Sequence, residues 1–337
     1  MSQVIPTSEQ LHMFVDNLEE ALGYDVGFRV QCRNIVLCGM GGSAISGDIV
    51  CGCYQGISRL PIAVNKSPDL PAWVDGDSFV IISSYSGNTL ETVEMYKQAL
   101  ARGAKMVVMT SGGILAEKAA EDGVFVKMLP DDMHPRHAIG YMIGYTAAFV
   151  RAAGCSDISY KIRSAIPGLR DYRDFLEGNP SYTRGLAEKF MSTIPVIMSD
   201  SALAPVAFRW KTQFNENSKY VAFNGSTSEF KYGGFLPWVR TSGLPFTLAI
   251  LSGGGASGED AALIESMESL DASGTDYLVI GLGGTEPMED VFRAIMLGDR
   301  ISLEMAEIRG IDAGAVPPIR RLKDKLLDMP GNTDGAA

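Results

Sequence analysis

Two parallel-sheet α/β units in tandem, each a three-layer αβα sandwich, are the fold class this sequence predicts. Three observations carry that prediction. Short apolar stretches suited to buried strands alternate with amphipathic helical stretches in both halves of the chain. Two strand-to-helix junctions in the first half are rich in Gly, Ser and Thr. The 337 residues, 46% apolar and 20% charged, suffice for two globular domains of ordinary size. Short apolar strands joined through helices pair in parallel, with both sheet faces covered.

Taken in order, Thr7-Ser8-Glu9-Gln10 reads as a capping box before a helix bearing Leu11, Phe14, Val15, Leu18 and Leu22. Residues 34–38 form an apolar strand, and a Gly-rich turn leads into a helix over 43–53. Further strands are expected at 60–64, 79–83, 105–110 and 124–128, with helices at 89–101, 113–121 and 135–153. Residues 157–187 read as helical, interrupted at 178–180, and connect two domains placed at 1–154 and 155–337. Alternation then resumes: a strand at 194–198, and a helix capped by Asp200 or Ser201, with Pro205 in its first turn, that runs to 217. Strands at 245–251 and 277–280 and helices at 257–270, 287–309 and 317–327 complete the pattern.

Composition narrows the partners. The net charge is -11 and there is no Lys/Arg run, which disfavours nucleic acid. The N-terminus carries no secretory pattern, and no apolar run is long enough to span a bilayer, so no membrane is expected. Five cysteines, Cys32, Cys38, Cys51, Cys53 and Cys155, fit reduced thiols in the cytoplasm. Cys51-Gly-Cys53 lacks a second pair or a nearby His, so no metal site is expected.

The chemistry gathers on two loops. Cys38-Gly-Met-Gly-Gly-Ser-Ala-Ile-Ser-Gly47 follows a strand and opens a helix, where glycines admit close approach and unpaired N–H groups favour an anion. Its Gly39-x-Gly41-x-x-Ala44 also fits a dinucleotide fingerprint, but the next strand ends Val64-Asn65-Lys66 without the ribose-binding carboxylate. Ser83-Ser84-Tyr85-Ser86-Gly87-Asn88-Thr89 repeats the strand–loop–helix arrangement, with Asn88 as a cap and Glu91 in the capping-box position. Two such loops at the carboxyl ends of neighbouring strands make an anion crevice lined by donors.

Gly41-Gly42-Ser43 together with Ser84-Tyr-Ser-Gly-Asn-Thr-Leu-Glu-Thr92 resembles the sugar isomerase (SIS) domain, a flavodoxin-like fold. Pro135-Arg-His-Ala-Ile-Gly-Tyr141, Asn215-Glu-Asn-Ser-Lys219 and Ile319-Arg-Arg-Leu-Lys323 extend the likeness to the bifunctional phosphoglucose/phosphomannose isomerases, over roughly residues 10–328. The resemblance implies that Ser84, Ser86 and Thr89 bind the substrate phosphate, with Gly42 and Ser43 beside them. It implies Arg136 as the group that stabilises an enediolate, Glu216 as the base that moves a proton between C1 and C2, and Lys323 as a lysine closing over the site. No cofactor is implied, and a homodimer with a composite active site is. Aldose–ketose isomerisation needs such a base and such a cation. On the residues alone, Glu216 reads as an exposed helix-end carboxylate, and Lys323, among Arg320, Arg321 and Lys325, as a solvated helix face. Arg136 follows a Pro at an expected helix start, where a cation opposes the dipole.

The pattern breaks at one place. The family's ring-opening His falls on Tyr232, within Ser228-Glu-Phe-Lys-Tyr-Gly233. A phenol titrates near 10 and is a poor base at neutral pH. The chain has three His, and His134 and His137 flank Arg136, so His137 or His134 is the expected substitute, with Tyr232 a weaker candidate. The functional alternatives are an isomerase of another sugar phosphate and a non-catalytic sugar-phosphate-binding or regulatory protein.

Overall fold

The computed structural model describes residues 5–228, 243–254, 276–316 and 325. The chain divides into two compact units, one holding the described residues up to Arg163 together with Val316 and Lys325, and the other Ser164–Ala315. Each has its own parallel sheet.

In the first unit the strands are β1 (Asn34–Gly39), β2 (Ile62–Asn65), β3 (Ser78–Ser83), β4 (Lys105–Thr110) and β5 (Phe125–Met128). They pair in the order β2-β1-β3-β4-β5, all parallel. That order reverses direction between β1 and β3, the place where open α/β sheets bind ligands beyond the strands' carboxyl ends. Every residue of β3 is buried, which explains its uninterrupted apolar run. One face of the sheet packs Val36, Val80, Ile82 and Val108 against Val93, Met95 and Tyr96 of α4 (Leu90–Ala101) and Leu115 and Ala119 of α5 (Gly113–Glu121).

Around the rest of the sheet lie α1 (Thr7–His12), α2 (Phe14–Leu22), α3 (Gly41–Tyr54) and α6 (Ile139–Ala152). Helix α6 is buried all round, with 13 of its 14 residues inaccessible. It carries Gly140 and Gly144 where a Cβ would strike the backbone of α2, so the two helices approach closely.

The second unit begins within α7 (Ser159–Gly178) and continues through α8 (Pro180–Met191), β6 (Ile194–Ser199), α9 (Ala204–Glu216), β7 (Phe223–Ser226), β8 (Phe246–Ser252), β9 (Asp276–Gly281) and α10 (Pro287–Ile308). Its sheet runs β7-β6-β8-β9, again parallel. Strand β7, Phe-Asn-Gly-Ser, is too polar and short to stand out in the sequence, and pairing with β6 defines it. The helices expected at 257–270 and 317–327 fall outside the described residues, apart from Lys325.

Three expected caps do not form. The first helix begins at Thr7 after Pro6, and the Gln10 side chain turns back to the Ile5 carbonyl. Asp200 accepts the Leu203 N–H at 3.0 Å, and α9 starts only at Ala204. Asn88 leaves its own helix uncapped: Thr89 holds the cap position without a side-chain bond. The expected helix at 135–153 starts at Ile139, because residues 135–138 form a turn, so Arg136 sits in that turn rather than at a helix start.

Candidate functional site

The two loops leave the carboxyl ends of β1 and β3, which pair with Gly39 opposite Ser83. Here a Cβ on Gly39 would meet the Ser83 carbonyl oxygen at 3.1 Å, so the loops run in van der Waals contact. Gly41 has φ +53, a left-handed conformation that lets the chain turn directly from strand into α3. Ser43, in the first turn of α3, is buried, and its Oγ accepts the Tyr85 N–H at 3.4 Å, tying the first loop to the second. Cys38 at the end of β1 stays a thiol, since burial pushes it up to about 12.

The second loop is a tight turn in which the Gly87 N–H donates to the Ser84 carbonyl at 3.0 Å. Gly87 has φ +67, and a Cβ there would collide with the Gly112 carbonyl. Asn88 reaches across to cap α5: its Oδ1 accepts the Ile114 N–H at 3.0 Å. The loop thus rests against the start of the neighbouring helix. Ser84 is buried, while Ser86 and Thr89 are partly exposed. The loop carries the hydroxyls of Ser84, Ser86 and Thr89 next to the start of α4, residue types suited to a phosphate.

Tyr85 joins a third segment to these two. Its hydroxyl donates to the Pro130 carbonyl at 2.6 Å and accepts the Met133 N–H at 3.1 Å. Its carbonyl accepts the Ser111 N–H at 2.8 Å and the Ser111 hydroxyl at 2.7 Å. Burial pushes the phenol up to about 12, so it remains a donor. The His134 N–H is held by the Gln10 Oε1 at 2.8 Å. Between these anchors and α6 lies Arg136, 6% exposed, with its Cα 3.4 Å from where a Gly42 Cβ would stand. A guanidinium so enclosed suits a developing negative charge. The His134 and His137 rings meet edge to face at 6.1 Å; His137 is buried and His134 partly exposed. The sequence places Gln10 in a capping box rather than under His134 and gives Tyr85 no role, because His134 and the partners of the Tyr85 hydroxyl lie 45 or more positions away.

In the second unit, Glu216 is the last residue of α9 and is partly exposed. Its neighbours are committed to structure. Asn217 donates to the Ser302 Oγ at 2.8 Å, the Ser218 Oγ donates to the Phe214 carbonyl at 2.6 Å, and Asn215 donates to the Tyr220 carbonyl at 2.8 Å. The Lys219 ammonium donates to the Glu216 carbonyl at 2.7 Å and to the Asp312 carbonyl at 2.9 Å, a cation placed on the helix's negative end. Higher up α9, Gln213 and Arg209 sit one and two turns before Asn217 on the same face. Arg209 forms a bidentate pair with Asp299 (3.1 and 2.6 Å), and Gln213 donates to Asp299 at 2.9 Å. This buried network locks the helix carrying Glu216 onto α10.

The carboxyl edge of the second sheet offers its donors internally. The Gly254 and Gly284 N–H groups donate to the two Asp290 oxygens at 2.9 and 2.8 Å. Lys323, Glu229 and Tyr232 lie outside the described residues. Among the described residues no three His, Cys, Asp or Glu side chains are grouped to hold a metal ion, and no helix is long and apolar enough to cross a membrane.

Residues 30–135 match the family described as SIS domain, and residues 180–326 match the bacterial phospho-glucose isomerase C-terminal SIS domain. The bifunctional phosphoglucose/phosphomannose isomerase of Caldicellulosiruptor bescii is 30% identical over 340 residues, covering 95% of this chain and 99% of that protein. The enzyme of the same name from Thermoplasma acidophilum is 31% identical over 313 residues, covering 92% and 95%. Among solved structures, the tagatose-6-phosphate ketose/aldose isomerase of Escherichia coli shares the fold, with a TM-score of 0.70 at 17% identity over 92% of this chain and 95% of that one.

Proposed function

The chain belongs to the bifunctional phosphoglucose/phosphomannose isomerase family, and we propose that it interconverts glucose 6-phosphate and mannose 6-phosphate with fructose 6-phosphate. The observation that carries this reading is the pair of loops flanking the β1–β3 switch point, tied together through Ser43 and Tyr85 and backed by the buried Arg136. In this reading Ser84, Ser86 and Thr89, with Gly42 and Ser43, hold the phosphate. The Glu216 carboxylate takes the proton from C2 of the open-chain aldose. The C2–H electron pair becomes the enediolate double bond, the C1 carbonyl gains negative charge, and the Arg136 guanidinium stabilises it. A proton passes from the C2 hydroxyl to the C1 oxygen, and return of the carbon-bound proton from Glu216 to C1 then gives the ketose, with C2 now the carbonyl.

Ring opening falls to the His134–His137 pair, with His134 the more accessible of the two. Lys323 is assigned closure over the substrate. The reading includes a homodimer with a composite active site and, supported by five free cysteines, a cytoplasmic location. The route needs no metal, and a chelator is expected to leave turnover unchanged.

The test is to incubate the pure protein with fructose 6-phosphate and follow the appearance of glucose 6-phosphate and mannose 6-phosphate. Formation of both supports the reading. Tight binding without product would leave a sugar-phosphate-binding protein instead.

A further inference from the structure

The first unit has a hollow away from the loops, at the far end of α6 from Arg136. It is an open hollow of about 670 Å³. Its walls are the connection from Gly23 to Arg29 that leads into β1, the last turn of α6 with Arg151, and the start of α7 with Asp157, Ser159 and Arg163. Helix α6 spans the distance between the two places. Its first residues follow Arg136, its last turn lines the hollow, and the helix is 14 residues long. At 1.5 Å per residue that is roughly 20 Å.

The charge inside this hollow is unusual for a chain of net charge -11. Three guanidinium groups face two carboxylates, Asp25 and Asp157. Asp157 is engaged with Arg151 at 3.3 Å and with the Ser159 N–H at 2.9 Å. Asp25 accepts the Gly27 N–H at 3.2 Å. Arg151 also donates to the Tyr24 carbonyl at 3.1 Å. Arg29 reaches only the Arg151 carbonyl, at 3.5 Å, and Arg163 lies over Gly23. Neither Arg29 nor Arg163 has a carboxylate partner among the described residues. Two like charges lining one hollow repel, and a concave wall focuses their field.

We propose that this hollow is a second ligand site, for a phosphate ester of about sugar-phosphate size. The phosphate pairs with Arg29 and Arg163, which present planar forks suited to its oxygens. The second Asp25 oxygen and the exposed backbone of the 23–29 segment accept and donate to hydroxyl groups. The carboxylates disfavour a bare polyanion, and the volume lies within the range of small-molecule sites. This inference stands apart from the catalytic reading, because it uses none of the same residues.

Equilibrium dialysis of the full chain against radiolabelled glucose 6-phosphate tests it. Two molecules are expected to bind per chain. The variants Arg29→Gln and Arg163→Gln change exposed side chains, and each is expected to weaken one of the two binding events at least tenfold while leaving isomerase turnover unchanged. Ser84→Ala/Ser86→Ala is expected to weaken the other event only. Should both arginine variants bind with wild-type stoichiometry and affinity, the second site does not exist. Loss of one event in the arginine variants, with none in the serine variant, would keep the second site and remove the phosphate assignment of the loops.

Discussion

The Tyr85 hydroxyl donates to the Pro130 carbonyl at 2.6 Å while its ring sits in the phosphate-type loop, so one side chain couples that loop to the turn bearing Arg136. Tyr85→Phe keeps the ring and removes the bond. The Pro130 carbonyl and the buried Met133 N–H then lose their partner, at a cost of about 1–3 kcal/mol. The expected result is a lower urea midpoint together with a fall in kcat larger than any rise in KM, since Arg136 drifts while the loop hydroxyls stay. Unchanged kcat with reduced stability would leave Tyr85 a purely structural residue.

Asn88 caps α5 rather than α4. Asn88→Ala is therefore expected to destabilise by about 0.5–2 kcal/mol, the range for loss of a cap. Hydrogen exchange locates the effect: faster exchange at Ile114, with α4 amides unchanged. Faster exchange in the first turn of α4 would restore the local cap that the sequence predicts.

The buried Arg209–Asp299 pair holds α9 to α10, with side-chain exposures of 1% and 4%. Arg209→Met strands the Asp299 carboxylate and is expected to cost about 3–5 kcal/mol in chemical denaturation. Replacing both partners, Arg209→Met with Asp299→Leu, should recover most of that loss, because no uncompensated charge remains. A double variant as unstable as the single one would show that packing, not charge, sets the cost.

Glu216→Gln tests the proton-transfer assignment. It preserves the shape of the side chain and the Lys219 cap on the backbone carbonyl. A loss of about 10²–10⁴-fold in kcat with little change in KM is expected for a removed general base. Retention of wild-type kcat assigns the base to another residue.

Glu289 predicts a pH dependence of stability. Burial pushes its carboxyl up, but the Thr285 N–H and hydroxyl and the Arg293 guanidinium outweigh this and hold it below the ordinary value of 4.5. The folded protein thus binds this proton less tightly than the unfolded chain. The associated stability is complete above 4.5 and is lost as pH falls through the folded value. Denaturation midpoints should decline below that point, and Glu289→Gln should flatten the decline. An equal slope in the variant would assign the acid sensitivity to other carboxylates.

Much of the first unit was legible in the sequence because its signals are local. The runs ending at Ser83 and Thr110 read as buried strands because every β3 residue and the last four of β4 are inaccessible. The glycines at 41 and 87 marked turns because only a left-handed backbone closes them. From these the sequence by itself determined the α/β class, the two loops and the identity of the residues on them. It could not determine β7, where pairing rather than apolarity makes the strand. Nor could it determine the true caps, because Asn88, Gln10 and Tyr85 bond to segments 26 to 124 positions away. Only the tertiary structure decided that Arg136 leaves the helix and is buried against Gly42. The physical reason is that a charge acquires its environment from whatever the fold brings beside it, and spacing along the chain carries no record of that.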